Sequence, residues 1–276
     1  MLRTILVGLD GSEHGNAAQM FSIRMAKQLD ALLIGMGCVD EPGIHGSEEF
    51  LVGEPYFDRL NSTLLTELKT RVESTLSRCA LKCAEAGVAF KPLEDVGTPY
   101  VQILLEAQRY DLIVLGRQTH FQFGWEETPD VTLSKVLAES PRPVVVVPNN
   151  PVEGDSILVA YDGSLQAANT LYAFVASGLG QGRQIHVLSV ADHKADAARR
   201  ADRAIDFLKS HDLNTQAHAV ESRQSPPEML LEQICHHGAG LVVMGAYGQP
   251  VLREFFLGST TRTMLEKSPA ALFLSH

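Results

Sequence analysis

Glycine and hydroxyl residues near the carboxyl terminus of the chain have the spacing of an anion-binding loop. Gly245 and Gly248 are three positions apart, nine residues follow, and then come Gly258, Ser259 and Thr260. An apolar run precedes this segment and an amphipathic stretch follows it, so we place the segment between a strand and a helix. Glycine allows positive φ and a close approach of the backbone to a ligand. Backbone amides and a helix N-terminus attract phosphate, to which both hydroxyls can donate.

A purely structural explanation fits the same residues. Gly245 and Gly248 can serve only to turn the chain, and Ser259 can serve only to cap the helix that follows. The spacing by itself favours neither explanation.

Three sequence patterns occur in both halves of the chain, in the same order. The first is Ile-Leu-Val followed by Asp-Gly-Ser, the second is an apolar run that ends in glycine, and the third is Ser-Pro before a last apolar run. They begin at Ile5, Asp111 and Ser140 in the first half and at Ile157, Gly240 and Ser268 in the second. Such a repeat indicates duplication. We predict two domains, residues 1–150 and 151–276, joined by turn-forming residues.

Short apolar runs alternate with longer amphipathic stretches in each half. The runs are continuous, which is typical of parallel strands that helices cover on both faces. Five strands with intervening helices in each half predict an α/β fold with two tandem, doubly wound, five-stranded parallel sheets. Such sheets bind ligands beyond the carboxyl ends of the strands, where the strand order reverses. The candidate site residues are therefore those that follow the first and fourth strands of a half.

Composition excludes several classes of protein. The chain has 276 residues, 45% of them apolar and 20% charged, which excludes a disordered chain and suits two domains of ordinary size. A net charge of −10 argues against nucleic-acid binding, which needs clustered Lys and Arg. No apolar run approaches the roughly 20 residues of a membrane span. The first apolar run is too short for a signal peptide, so we expect a cytoplasmic protein.

The four cysteines form no recognisable motif. No C-x-x-C pair occurs, although Cys79 and Cys83 are four positions apart and would share one face of a helix. We interpret the cysteines as buried thiols rather than as a metal or redox site. The sequence also lacks G-x-x-x-x-G-K-[ST], G-x-G-x-x-G, G-x-S-x-G and H-E-x-x-H, and it offers no set of acid, base and nucleophile.

The histidines are scattered along the chain. His236 and His237 are adjacent, so on a helix they point away from each other. We interpret them as partners of a helix dipole rather than as metal ligands. His193, His211 and His218 could approach a bound ligand in three dimensions, but nothing in the sequence requires it.

The glycine pattern, the Asp that closes the first strand and the Ser-Pro before the last strand together resemble the universal stress protein family. Both halves resemble it, as in tandem members of the family. The resemblance implies a Rossmann-like, adenine-nucleotide-binding fold and ATP as the ligand, with Mg²⁺ as its companion ion. By carry-over, the side chain of Asp162 and the backbone near Val190 would hold the adenosine. The phosphates would lie on Gly245, Gly248, Gly258, Ser259 and Thr260.

The last strands of the two halves, at 144–147 and 271–274, are apolar runs at what should be a sheet edge. An open apolar edge is an aggregation hazard. Dimers of the family commonly meet along this strand, so the resemblance implies that the two halves pair with pseudo-twofold symmetry inside one chain. A homodimer of whole chains is the further assembly that the resemblance suggests.

The first half departs from the glycine pattern. Thr119 stands where the second glycine is expected, and Asp130 and Val131 replace the glycine and the hydroxyl residue that close the motif. An aspartate repels phosphate, and a β-carbon narrows the site. Asp10 is retained, but within Asp-Gly-Ser it also forms a turn. We interpret residues 1–150 as a partner domain that does not bind ATP.

Residues 41–61 have no counterpart in the second half and are rich in Gly, Pro and acidic residues. They precede an unusually long helical stretch. A solvated loop is the favoured interpretation, and a lid or a partner surface is the alternative.

Three functions fit these observations. The first is a stress-response regulatory protein in which ATP occupancy changes the conformation or the choice of partner. The second is an enzyme on the same scaffold, a slow nucleotide hydrolase or an adenylyl-transferring protein. The third is an interaction protein without a ligand. The intact motif of the second half favours the first function over the third, and the lack of a catalytic set favours it over the second.

Overall fold

The structure consists of two compact units. The computed structural model describes residues 2–40, 54–121, 130–222, 225–246 and 258–275, with side chains from residue 63 onward in the helix that begins at Glu54. The first unit is Arg3–Arg142, and the second is Pro143–His276 together with Met1–Leu2. This division falls shortly before residue 150, so the apolar strand at 144–147 is counted with the second unit.

The first unit has four described strands and four described helices. The strands are β1 (Thr4–Gly8), β2 (Leu32–Val39), β3 (Phe90–Val96) and β4 (Leu112–Gly116). The helices are α1 (Glu13–Leu29), α2 (Glu54–Ala86), α3 (Pro99–Glu106) and α4 (Thr132–Glu139). The strand order is β3-β2-β1-β4, and every neighbouring pair is parallel.

The second unit repeats this order and adds two strands. The strands are β5 (Val144–Val147), β6 (Ser156–Ala160), β7 (Ile185–Ala191), β8 (Thr215–Glu221), β9 (Ala239–Gly245) and β10 (Ala271–Ser275). The helices are α5 (Leu165–Ser177), α6 (Lys194–Lys209), α7 (Pro226–His237) and α8 (Ser259–Lys267). The strand order is β5-β10-β9-β6-β7-β8. All neighbours are parallel except β5 and β10.

The helices of each unit form two groups. In the first unit α1 contacts α2 and α3 contacts α4, and in the second α5 contacts α6 and α7 contacts α8. The strand order reverses between β1 and β4, and again between β6 and β9. This is the arrangement of doubly wound sheets. The predicted α/β fold of Rossmann-like type is therefore confirmed.

Burial along the strands explains why the apolar runs are continuous. Every residue of β4 and β5 is buried, and β1 and β9 are buried over most of their length. β3 and β8 end the strand order of their units, and exposed residues interrupt both. The core of each unit therefore lies along its central strands. None of the described helices is both long enough and apolar enough to cross a membrane.

β5 and β10 form the antiparallel pair of the second unit. Val145 lies opposite Phe273, and both side chains are fully buried. The pairing covers the apolar edge that each strand would otherwise leave open. The prediction that the last strands of the two sequence repeats meet is confirmed.

The helix α2 is longer than the sequence predicts. It begins at Glu54, so its first turns take up the end of the segment 41–61. The loop prediction is therefore wrong for residues 54–61. The rest of that segment, residues 41–53, lies outside the described residues.

Three of the four cysteines are buried. They are Cys38, Cys79 and Cys83, whereas Cys235 on α7 is exposed. Burial raises the pKa of Cys38 and of Cys83 to about 12, so these thiols remain protonated at neutral pH. The prediction of buried thiols is confirmed for these three and wrong for Cys235.

Candidate functional site

The carboxyl ends of the strands in the second unit border a cavity of about 240 Å³. It lies where the strand order reverses between β6 and β9, the usual position of a ligand in such sheets. The strands and their ends contribute Ala160, Tyr161, Asp162, Leu188, Val190, Met244 and Gly245. The helices and their caps contribute Ser164, Gln166, Ala167, Pro226, Leu230, Gly258, Ser259, Thr260 and Thr261.

Six of the seven site residues nominated by the sequence line this cavity. They are Asp162, Val190, Gly245, Gly258, Ser259 and Thr260. The seventh, Gly248, lies outside the described residues. His193 and His211 are exposed and do not belong to the lining, and His218 lies in a different cluster of side chains.

The Asp-Gly-Ser turn after β6 builds one wall of the cavity. Asp162 Oδ1 accepts a hydrogen bond from Ser164 N at 2.9 Å. Gly163 has a φ of 82°, a value that residues with a β-carbon rarely adopt. Ser164 Oγ accepts from Ala167 N at 3.1 Å and so caps the start of α5. The turn thereby holds Asp162 in the cavity wall, where it is exposed.

The two described glycines of the motif serve different purposes. A β-carbon at Gly245 would lie 3.0 Å from Ala167 N and 3.1 Å from Gln166 C, so the close packing of β9 against α5 already favours glycine there. At Gly258 a β-carbon would meet no described atom within 4 Å, and φ is −54°. Within the part of the chain that the structure describes, neither packing nor backbone conformation requires glycine at 258. Close approach of a ligand would supply the reason for it.

The helix α8 begins directly on the cavity. Among the described residues, no side chain caps its N-terminus. The first helical bond runs from Arg262 N to Gly258 O, so the N–H groups before it point out of the helix start. Such groups carry partial positive charge and attract anions. With Ser259 and Thr260 in the lining, this end of the cavity fits a phosphate group.

Apolar side chains form much of the remaining lining. Leu188, Leu230 and Met244 are the largest of them. Their apolar surface fits the flat face of an aromatic base. The sequence could not single them out, because leucine and methionine in a strand or helix look like ordinary core residues.

Arg200 on α6 is a charged neighbour of the site that the sequence did not indicate. Its Nη1 donates to Val190 O at 3.4 Å. Its Cγ lies 3.4 Å from the position of a β-carbon at Gly163. The arginine therefore stands between the end of β7 and the Asp-Gly-Ser turn. Only the packing of α6 on β7 brings it there, and no local motif marks it.

In the first unit the aspartate after β1 is engaged by its own chain. Asp10 is 4% exposed. Its Oδ1 accepts from Ser12 N and Ser12 Oγ, at 3.0 and 2.8 Å, and its Oδ2 accepts from His120 N at 2.7 Å. These bonds tie the turn after β1 to the chain that follows β4.

Phe121 and Asp130 fill the neighbourhood of this turn. Phe121 is 1% exposed, and its Cζ lies 3.0 Å from the position of a β-carbon at Gly8. In the sequence repeat Gly8 corresponds to Ala160, which lines the cavity of the second unit. Asp130 accepts from Phe121 N at 3.0 Å and from Thr132 N at 2.7 Å, so its carboxylate lies at the N-terminus of α4. The first unit thus has a ring and a carboxylate where the second has a cavity and an uncapped helix.

A cluster of three histidines lies in the second unit outside the cavity lining. His186 on β7, His218 on β8 and His237 at the end of α7 have ring nitrogens that all lie within 4.8 Å of one another. His186 Nδ1 and His218 Nε2 are 3.0 Å apart. The rings of His186 and His237 stack with a centroid distance of 3.9 Å. The interpretation of His237 as a helix-dipole partner alone missed these contacts.

The three clustered histidines are uncharged at neutral pH. Burial lowers the pKa of each of them, and nearby imidazoles lower it further. The pKa of His237 falls to about 4, with burial as the first cause, followed by His186, His218 and the exposed His236. The cluster therefore presents neutral imidazole nitrogens.

Comparison with known proteins agrees with this architecture. The profile of the universal stress protein family matches residues 1–148 and 154–275. The universal stress protein Slr1230 of Synechocystis sp. is 22% identical over 161 residues; these cover 58% of this chain and 55% of Slr1230, so the match spans about half of each protein. The crystal structure of a universal stress protein from Archaeoglobus fulgidus has the same fold, with a TM-score of 0.72 and 21% identity over 98% of this chain and 97% of that one. Since the family profile matches nearly the full length in two copies, the chain belongs to the universal stress protein family.

Proposed function

We propose that the second unit binds an adenine nucleotide, with ATP as its natural ligand, and that the chain acts in the cytoplasm as a stress-response regulator. The observation that carries the proposal is the convergence of Asp162, Gly258 and the uncapped start of α8 on one cavity. That cavity is at the strand-order reversal, where such sheets bind ligands. Membership of the universal stress protein family supports the proposal.

In this proposal the cavity holds the nucleotide by three kinds of contact. The apolar side chains of Leu188 and Leu230 pack on the base. Asp162 and the backbone at Val190 hold the adenosine. Ser259, Thr260 and the first amides of α8 bind the phosphates. Mg²⁺, when it accompanies ATP, neutralises part of the phosphate charge.

The first unit is, in the same proposal, a partner domain that does not bind ATP. Asp10 already accepts from His120 N, and the ring of Phe121 packs on the end of β1. Asp130 supplies a carboxylate to the N-terminus of α4, where a phosphate would meet a like charge. These three contacts support the assignment of a single nucleotide site to the chain.

Nucleotide occupancy is suited to regulation. In this proposal the nucleotide contacts Gly245 at the end of β9 and Gly258 at the start of α8, so an occupied cavity presents a different surface to a partner protein than an empty one. Asp162 is the one carboxylate of the described lining, which contains no histidine, lysine or cysteine. This lining favours binding over catalysis.

The exchange Gly258→Asp tests the proposed phosphate position. A side chain at 258 meets no described atom, so the fold should be retained, while the new carboxylate would repel phosphate at the start of α8. We expect the affinity for Mg·ATP, measured by titration calorimetry on the full chain, to fall by more than about 100-fold. Circular dichroism should stay that of the wild type.

Gly182→Asp is the matched control. It makes the same exchange in the turn before β7, at the opposite end of that strand from the cavity, and its side chain also meets no described atom. Aspartate tolerates the positive φ of 72° at this position. This variant should bind ATP as the wild type does. Absence of binding by the wild type, or equal binding by Gly258→Asp, would refute the proposal.

A further inference from the structure

We propose that the second unit has a site for a divalent transition-metal ion, with Zn²⁺ as the first candidate, formed by His186, His218 and His237. The site is distinct from the nucleotide cavity and does not depend on the proposed function. Three imidazoles are a ligand set typical of zinc, and they leave a fourth position for water or another small ligand. Softer thiolate ligands are not part of the set, since the buried cysteines lie in the first unit.

The three donor residues come from three elements that the fold holds together. β7 and β8 are parallel neighbours, and His218 lies two positions beyond Gln216, the register partner of His186, on the same face of the sheet. α7 packs against β7 and ends at His237. The ring nitrogens of all three lie within 4.8 Å of one another, with 3.0 Å between His186 Nδ1 and His218 Nε2. Nitrogens bound to tetrahedral zinc are roughly 3.3 Å apart, so the side chains, including the stacked rings of His186 and His237, rotate in this proposal to bring all three donors onto one ion.

A second contact prepares His237 as a ligand. Its Nε2 is 3.0 Å from Gln233 Oε1, one turn earlier on α7. The amide oxygen is an acceptor, so Nε2 carries the proton and Nδ1 keeps its lone pair. Histidines that bind metals generally donate their other nitrogen to an oxygen in this way. Gln233 is therefore a positioning residue for the proposed site.

The surroundings of the cluster favour a cation. His237 is the last residue of α7, and carbonyl groups at a helix C-terminus carry partial negative charge. His186 is 8% exposed, while His218 and His237 are half-buried, so an ion can reach the rings from solvent.

None of the three histidines lines the nucleotide cavity, although His186 is two residues before Leu188 of the lining on β7 and His218 is the register partner of Leu188. Pro226 and Leu230, in the first turns of α7, line the cavity, whereas His237 ends the same helix. His237 lies eleven positions after Pro226 on the helix, a rise of roughly 16 Å. The variant His237→Gln should therefore leave ATP binding intact, which provides a check on folding that is independent of metal.

Metal titration of the full chain tests the proposal. The protein is prepared without a histidine tag, treated with a chelator, and titrated with Co²⁺ and, in competition with a chromophoric chelator, with Zn²⁺. We expect one ion per chain, the visible absorption of four-coordinate cobalt, and a rise in Tm on addition of Zn²⁺. In His218→Gln and His237→Gln the affinity should fall by more than about 100-fold, since loss of an outer contact alone costs roughly 10–100-fold.

His236→Gln is the matched control, because His236 is exposed and directly precedes His237. It should bind Zn²⁺ within about twofold of the wild type. Absence of stoichiometric binding by the wild type would overturn the proposal. An equal loss in His236→Gln would also overturn it, as would a cobalt–thiolate absorption that disappears in Cys235→Ser. The last result would assign the ion to the exposed Cys235.

Discussion

The aspartate that follows the first strand of each unit takes a different position in the two. Asp10 is buried and Asp162 is exposed, although both begin the same Asp-Gly-Ser turn. The residue five positions after the aspartate differs: it is Gly15 in the first unit and Ala167 in the second. A β-carbon at Gly15 would lie 2.1 Å from Asp10 Oδ1, so glycine is what lets Asp10 fold inward. Ala167 has that β-carbon, and Asp162 therefore stays in the cavity wall.

Gly15→Ala should expel Asp10 from its buried position. The new β-carbon displaces the carboxylate, which then loses its bonds to Ser12 and His120 N. We expect the free energy of unfolding to fall by about 1–3 kcal/mol, because buried donors are left without their acceptor. Denaturant unfolding followed by circular dichroism measures the change.

Asn16→Ala is the control for this exchange. Asn16 is exposed in the same turn of α1, so the substitution adds helix propensity without a clash. It should leave the stability unchanged or slightly raised. If Gly15→Ala were as stable as Asn16→Ala, the steric explanation for the position of Asp10 would be wrong.

His14 should make the protein less stable in mild acid. Burial lowers its pKa, and the charges of Arg117 and His120 lower it further, against the opposing effect of Asp10 and Glu13. The unfolded chain therefore binds a proton near pH 6.5 that the folded chain binds only at lower pH. The stability contributed by neutral His14 is complete above pH 6.5 and is lost as the pH falls through the folded pKa.

The variant His14→Gln isolates this effect. Its free energy of unfolding should fall less than that of the wild type between pH 7.5 and pH 5, since glutamine does not titrate. Urea denaturation at both pH values gives the comparison. The same loss of stability in both proteins would mean that His14 does not contribute to the pH dependence.

The β5–β10 pair differs from the strand pairs within each repeat, which are parallel. Its direction is antiparallel, and it is built from two apolar runs more than a hundred residues apart in the chain. All four residues of β5 are buried, as are four of the five in β10. The pair therefore contributes to the core and at the same time covers the edge of β10.

Val145→Lys should disrupt this pair. The side chain at 145 lies opposite Phe273, and both positions are 0% exposed, so a lysine there buries an unpaired charge. We expect a loss of about 3 kcal/mol or more in the free energy of unfolding, with a corresponding fall in Tm. Val152→Lys, at a position 39% exposed, should change the stability by no more than about 0.5 kcal/mol. Equal effects of the two exchanges would contradict the role assigned to β5.

Over the full chain, the two units share the order of four strands but differ in the chemistry of the strand ends. The second has a cavity with an uncapped helix, and the first has Phe121 and Asp130 in the corresponding places. We therefore predict one bound nucleotide per chain. Equilibrium dialysis with labelled ATP and Mg²⁺ measures the ratio at saturation. Two nucleotides per chain would show that the first unit binds as well.

The sequence alone determined the elements, the duplication and the location of the cavity. Continuous apolar runs and amphipathic stretches are local patterns, and they mark buried parallel strands and their covering helices wherever these occur. The carboxyl ends of parallel strands always lie at one edge of the sheet, so residues after strands one and four had to meet there. For this reason local motifs were enough to nominate Asp162, Gly245 and Gly258 as neighbours in one site. The start of α2 at Glu54 was missed, because the Gly- and Pro-rich residues before it favour a loop.

Only the tertiary structure decided which distant side chains meet. Arg200 reaches Val190 because α6 packs on β7, and Asp10 is buried because His120 N comes back to it from beyond β4. His186 and His218 meet because β7 and β8 are neighbouring strands that place them two register positions apart, and the docking of the last turn of α7 adds His237. Register and helix docking follow from the packing of a whole core, which no single stretch of sequence contains. The proposed nucleotide site could therefore be located from local motifs, whereas the histidine cluster could be found only in three dimensions.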